Sequence, residues 1–283
     1  GSGVFVIDDS GKKFYEGMSG LWCASLGFSE PELINAAMEQ FQQLPFYHSF
    51  GGKTVNPAID LAEMLIANAP PAGGDSSMSK VFFAASGSEA NDTAMKMVWY
   101  YNAALGRSEK RKIISRRKGY HGVTMAAASM TALAYAQDGF GLPLDFVKHT
   151  SAPDYYNEAL AGESEDDFAS RCADDLEALI LAEGPDTVAA LFAEPVMGAG
   201  GVIIPPRGYF AKIRAVLEKY DVLLIADEVI CGFGRTGNMW GSQTMDVRPD
   251  MLTCAKALSS AYLPISAVML SEKVYAPLAA QAE

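Results

Sequence analysis

The chain has 283 residues, 49% hydrophobic and 20% charged, an ordinary globular composition with room for one large domain or about two smaller ones. Its 34 acidic and 22 basic side chains leave a net charge of -12, which argues against nucleic acid or an anionic membrane surface as the main partner. No apolar run nears the roughly 20 residues of a spanning helix and no signal-peptide pattern opens the sequence, while four scattered cysteines (Cys23, Cys172, Cys231, Cys254) point to a reduced, cytoplasmic protein without zinc.

Residues 4–7 and 12–16, on either side of the Asp8-Asp9-Ser10-Gly11 turn, read as a hairpin. Ser29 with Glu32 three residues on fits a capping box. It opens a predicted amphipathic helix with Leu33, Ala37, Phe41 and Leu44 on one stripe. Asn56-Pro57 starts a second helix carrying Ile59, Ala62, Leu65 and Ile66. Past the Pro- and Gly-rich break at 69–74, short apolar strands alternate with helices. Strands are predicted over residues 80–85, 111–115, 187–194, 221–226 and 251–255, and helices over 90–101, 168–182 and 209–220. The polar, acidic stretch 151–167 reads as a surface loop. Such alternation predicts an α/β fold, a mostly parallel sheet with helices on both faces.

Three features converge on the carboxyl edge of that sheet. Ser86-Gly87-Ser88 joins a strand to a helix, so backbone N–H groups, hydroxyls and the helix dipole make an anion site suited to phosphate. The same residues also serve as a plain cap, and they form neither a G-x-x-x-x-G-K-[ST] loop nor a G-x-G-x-x-G fingerprint. Asp227 ends the aliphatic run 222–226, where ligands of open α/β sheets bind, although an acid there is more often a cap or an ion-pair partner. Lys256 lies between apolar neighbours. Such a lysine usually snorkels to water, but partial burial would lower its pKa and leave a nucleophilic amine.

Taken together, a phosphate nest, a carboxylate and a lysine match the needs of pyridoxal 5'-phosphate (PLP): donors for the phosphate, a counter-charge for the pyridine nitrogen, an amine for the aldehyde. Tyr120, in Lys118-Gly119-Tyr120-His121-Gly122, follows the strand at 111–115 and is placed to stack on a ring. Of three histidines (His48, His121, His149) only His121 lies near this constellation, and with no H-E-x-x-H a metal hydrolase is disfavoured.

Stretches 18–23, 47–50, 86–92, 118–122, 194–196, 226–237 and 255–260, spread over nearly the whole chain, resemble the class III aminotransferases of PLP fold type I, and within them the amine:pyruvate (ω-transaminase) group. The resemblance implies a three-layer α/β/α PLP-binding domain at residues 56–283. Residues 1–55 would then be the N-terminal part of a small α+β domain and its connecting helix. It further implies Lys256 as the Schiff-base lysine and proton shuttle, Asp227 on the pyridinium, and Tyr120 and Val229 on the two ring faces. Ser86, Gly87 and Ser88 would hold the phosphate, with His121 beside the cofactor and Glu194 near the ring hydroxyl and substrate pocket. Tyr120 and Trp22 would wall the substrate pocket and Phe50 would reach the neighbouring subunit's pocket, although Trp22 and Phe50 read equally well as core aromatics.

By the same resemblance the protein is a homodimer with shared active sites, or a tetramer, and passes nitrogen to pyruvate or a similar keto acid. The family continues past the lysine with a partner-subunit threonine, a flexible arginine and a C-terminal small domain, and it begins earlier, so the chain is expected to be truncated at both ends. An aminomutase, a dialkylglycine-type decarboxylase and a catalytically silent PLP-binding fragment are the competing readings. Lys118, beside Tyr120 in a strand-following loop, is the rival to Lys256.

Overall fold

Large apolar and β-branched side chains favour a pleated surface that is covered on both faces, which is where the aliphatic runs of this chain end up. The computed structural model describes residues 1–74 and 76–281, so Asp75 and the last two positions of the expected 56–283 unit lie outside the described residues. Strands β1 (Phe5–Ile7) and β2 (Lys13–Tyr15) form the expected antiparallel hairpin. A second sheet holds β3 (Met78–Ala84), β4 (Lys112–Arg116), β5 (Val147–Thr150), β6 (Val188–Ala193), β7 (Leu223–Asp227), β8 (Met251–Cys254) and β9 (Ser266–Ser271), in the order β3-β9-β8-β7-β6-β4-β5.

Strands β5, β4, β6, β7 and β8 are mutually parallel, and β9 is antiparallel to both β8 and β3. Two reversals cancel. Strand β3 therefore points the same way as the parallel block, and six strands deliver their carboxyl ends to one edge.

Period-two alternation along β6 divides the core between two faces. Ala190 and Phe192 pack with Ala90, Ala94, Met95 and Val98 of the helix Gly87–Ala104, while Leu191 and Ala193 pack with Leu176 and Ile180 of the helix Glu165–Glu183 and with Ile213 and Leu217 of the helix Tyr209–Lys219. The result is a three-layer α/β/α architecture. A further cluster joins Leu65 of the helix Asn56–Ala67 and Trp240 to Leu252, Ala267 and Met269. No helix among the described residues is long and apolar enough to cross a membrane.

Three expectations are corrected. Five strands were expected in the main sheet, and the structure adds β5 and β9. Strand β5 reads Val-Lys-His-Thr and lies at the sheet's edge with Lys148 and His149 half-buried, so it carries no aliphatic run to betray it. Stretch 151–167 is not a simple surface loop. Its first four residues are buried, and it contains the short helix Tyr155–Glu158. The Ser29 capping box does not form, because Ser29 has φ 64° and donates its hydroxyl to the Gly1 carbonyl at 2.7 Å, leaving Glu30 as the cap of the helix Pro31–Gln43. None of that helix's residues is buried.

Leu191 is fully buried in the helix-covered face of β6. Its replacement by alanine should lower the unfolding free energy by about 2–5 kcal/mol. Urea denaturation should show this as a lower midpoint with an unchanged slope.

Candidate active site

At the end of β3 the chain turns at Ser86, whose extended backbone makes it the N-cap of the helix Gly87–Ala104. Its hydroxyl accepts from the Glu89 N–H at 3.2 Å, and the Glu89 carboxylate accepts from the Ala85 N–H at 2.8 Å, a reciprocal cap. The first-turn N–H groups of Gly87 and Ser88 have no intrahelical acceptor and stand at the positive end of an 18-residue helix. Gly87 packs tightly: a Cβ there would lie 3.0 Å from the Val229 Cγ2, so the Val229 side chain would have to shift to admit one. The Ser88 hydroxyl accepts from the Val123 N–H at 3.0 Å, which leaves its own hydrogen to donate.

Strand β7 ends in Asp227, only 3% exposed. Its Oδ2 accepts from Asn91 Nδ2 at 2.8 Å and meets His121 Nδ1 at 2.8 Å, and its Oδ1 accepts from the Val229 N–H at 3.0 Å. A carboxylate offers about four lone-pair positions. Three are filled by the protein, and the remaining one is on Oδ1.

Lys256 follows β8 in the left-handed region, at φ 47°. Its Nζ lies 5.8 Å from the Trp22 ring centroid and makes only a long 3.4 Å contact with the Leu21 carbonyl. Burial pulls its pKa below the ordinary lysine value, with the charges of Cys23 and Asp227 opposing this. Lys118 is the opposite case. Its ammonium binds Asp154 at 2.6 Å and Glu158 at 2.7 Å, and these hydrogen bonds raise its pKa. Of the two candidate lysines, only Lys256 has its amine freed.

Glu194 is buried at the end of β6 and accepts from the Tyr120 N–H at 3.1 Å and the Gly198 N–H at 2.9 Å. Burial pushes its carboxyl above the usual range. The fully buried Arg116 donates to the Glu194 backbone carbonyl at 2.5 Å.

Ser86, Gly87, Ser88, Tyr120, His121, Glu194, Asp227, Val229 and Lys256 all line one cavity of about 400 Å³. The two expected pocket aromatics do not line it: Trp22 is half-buried with its ring centroid 5.8 Å from the Lys256 Nζ, and Phe50 is 83% exposed. Sequence reasoning missed Asn91, Gly122 and the wall formed by Ser259, Leu263, Pro264 and Ile265. Asn91 lies in the Ser86–Asp92 stretch, but nothing in its spacing singles it out. Among the described residues, no group of three or more His, Cys, Asp or Glu side chains is placed to hold a metal ion.

Residues 1–282 match the model of the class-III aminotransferase family. Gamma-aminobutyrate transaminase 1, mitochondrial, of Oryza sativa subsp. japonica is 53% identical over 272 residues, which cover 96% of this chain and 52% of that protein. Vanillin aminotransferase of Capsicum frutescens is 54% identical, with 96% and 58% covered. Among solved structures, the omega transaminase from Pseudomonas jessenii in complex with PMP superposes with a TM-score of 0.97 at 56% identity, covering 100% of this chain and 61% of that one. The chain thus spans a little over half the length of the curated relatives it matches.

Next to Asp227, Glu228 turns away from the cavity. Its side chain is fully buried and accepts from the Gly241 N–H at 2.9 Å and the Ser242 N–H at 2.6 Å. Burial, opposed in part by those donors, pushes its pKa from 4.5 to about 7. An acid with a raised folded-state pKa holds its proton better folded than unfolded. It costs nothing below the unfolded value and erodes stability as pH rises towards and through the folded one. Urea titrations from about pH 5 to about pH 8.5 should therefore show a downward stability slope in the wild type that Glu228→Gln flattens. Equal slopes would show that Glu228 stays ionised throughout.

Proposed function

The chain belongs to the class-III aminotransferases, a family that uses pyridoxal phosphate, and we propose that its cavity binds this cofactor and that the protein moves an amino group from a primary amine or ω-amino acid to pyruvate or a similar keto acid. One observation carries the reading. A helix N-terminus with spare N–H donors, a buried carboxylate with one unused lone pair and an amine of lowered pKa all face a single cavity. The donor set suits a small molecule that is anionic at one end, carries a ring N–H at the other and has a carbonyl between.

When bound, the cofactor supplies an aldehyde that bonds amines and a protonated ring that draws electrons from the carbon attached there. The chain's own residues do the rest. Gly87 and Ser88 N–H groups and the Ser88 hydroxyl would hold the phosphate, with Ser86 shaping the turn. Asp227 Oδ1 would accept from the ring N–H, with His121 and Asn91 holding the other oxygen. Tyr120 and Val229 would confine the ring faces, and Glu194 would fix the Tyr120 loop. Lys256 Nζ would bond the aldehyde at rest and, once displaced by the substrate amine, would take the proton from the substrate carbon and deliver it to the cofactor carbon that had carried the aldehyde. Its lowered pKa supports that role, since it raises the unprotonated fraction at neutral pH. Leu263, Pro264 and Ile265 would keep water from that carbon.

Relatives named for γ-aminobutyrate and for vanillin, and a neighbour engineered for the synthesis of enantiopure bulky amines, favour a primary amine over an α-amino acid as donor. Exposed Ile34, Met38 and Phe41 on the helix Pro31–Gln43, together with Phe46 and Phe50, support a homodimer that covers this face, with Phe50 reaching the partner's pocket. Four free, buried cysteines fit a reducing compartment, and we propose the cytoplasm.

Borohydride reduction of the cofactor-loaded full-length protein, digestion and mass mapping should place one pyridoxyl group on Lys256. A label on Lys118, or none at saturation, overturns the assignment. A panel of amine donors with pyruvate should yield ketone or aldehyde and alanine. Release of carbon dioxide, or isomerised amine without alanine, would indicate a different PLP chemistry. Ser88→Ala should weaken PLP binding by about 10- to 150-fold, the worth of one hydrogen bond to a charged group, as read by equilibrium dialysis.

A further inference from the structure

Asn91 is fully buried, and all its hydrogen-bonding groups are engaged by three different parts of the chain. Its Nδ2 donates to the His121 backbone carbonyl at 2.7 Å and to Asp227 Oδ2 at 2.8 Å, and its Oδ1 accepts from the Thr253 hydroxyl at 2.8 Å. Two acceptors on one side and a hydroxyl on the other allow only one orientation of the amide. A flip would set the amide oxygen against a carboxylate and a carbonyl oxygen.

The consequence falls on Asp227. Its Oδ2 is occupied by Asn91 and His121 together, so the carboxylate cannot exchange its two oxygens by a half-turn without losing two buried hydrogen bonds. Oδ1, held by the Val229 N–H, keeps the one free lone pair. Building on the cofactor reading above, we propose that Asn91 is a positioning residue that selects Oδ1 of Asp227 as the atom facing the pyridine N–H and holds it there. The same helix offers Gly87 and Ser88 to the phosphate. Asn91 lies four positions after Gly87, so one rigid element would grip the cofactor's phosphate directly and set its ring nitrogen through Asp227. Thr253, in β8 three residues before Lys256, fixes Asn91 from the strand that leads to the lysine.

A purely structural asparagine with three good bonds would affect stability and nothing else, so the test must read the cofactor. The experiment uses the full-length protein as wild type, Asn91→Ala, Asp227→Asn and the double variant. PLP dissociation constants come from equilibrium dialysis, and the pH midpoint of the bound cofactor's absorbance change and the melting temperature are measured alongside. Asn91→Ala should weaken PLP about 10-fold and move the absorbance midpoint. In the Asp227→Asn background the same substitution should change the dissociation constant by less than about 2-fold, because its effect runs through the lost carboxylate. Thr253→Val should reproduce the loss in weaker form and Thr253→Ser should restore wild-type values, a pair that stands in if Asn91→Ala does not fold.

Independent, multiplying effects of Asn91→Ala and Asp227→Asn on the dissociation constant overturn the proposal. So does a lower melting temperature with unchanged PLP affinity and absorbance midpoint. A wild-type protein that binds no PLP overturns the cofactor reading itself, and that result is visible before any variant is compared.

Discussion

A carboxyl group held at 3% exposure must find hydrogen-bond partners at short range, because burying it without them is costly. Asp227 meets that demand with donors from three places: Asn91 from the helix Gly87–Ala104, His121 from the loop after β4, and the Val229 N–H from its own turn. The two neighbouring buried acids meet it with backbone N–H groups. Glu194 binds Tyr120 and Gly198, and Glu228 binds Gly241 and Ser242. Each acid thereby pins a loop in place. Glu194 and Asp227, at the ends of β6 and β7, thus hold residues that line the cavity, while Glu228 holds Gly241 and Ser242 outside it.

Charge compensation of this kind works only if the right strand ends meet. The reversal at β9 decides that, because β3 would otherwise lie beside β8 or leave the sheet. Inserted between them and antiparallel to both, β9 keeps β3 pointing with the parallel block. The Ser86 turn then opens beside Lys256 rather than at the opposite edge. The Ser266 hydroxyl, at the start of β9, donates to the Ser86 carbonyl at 2.7 Å and ties the two segments together.

What could be read from the sequence depended on whether the information was local. The Val222–Ala226 run, the Ser86-Gly87-Ser88 turn and the lysine after the 251–255 strand are all boundary patterns, and the structure places each at the sheet's carboxyl edge. Strand β9, although apolar, escaped notice, and β5 was masked by its polar residues. The two Ser-x-x-Glu patterns show why locality has limits. Ser86 with Glu89 forms the reciprocal cap, while Ser29 with Glu32 does not, because Ser29 takes a left-handed backbone just before Pro31 and bonds to Gly1. Asn91 was out of reach for a different reason. Its partners lie 30, 136 and 162 residues away, and only the folded sheet brings them together.

Lys118 and Lys256 both follow strands and both sit beside apolar or aromatic neighbours, so spacing alone does not separate them. The fold does so through what each ammonium faces. Lys118 is met by Asp154 and Glu158, two acids from a stretch whose composition suggests a solvated loop, and ion pairing fixes its proton. Lys256 is surrounded by Trp22, Ala255 and the apolar wall at 263–265, with Asp227 contributing only at longer range, so burial prevails and its amine is the more readily deprotonated. A nucleophilic lysine is made here by withholding partners. The carboxylates on this edge are engaged instead with backbone N–H groups, Asn91 and His121, and among the described residues none forms an ion pair with Lys256.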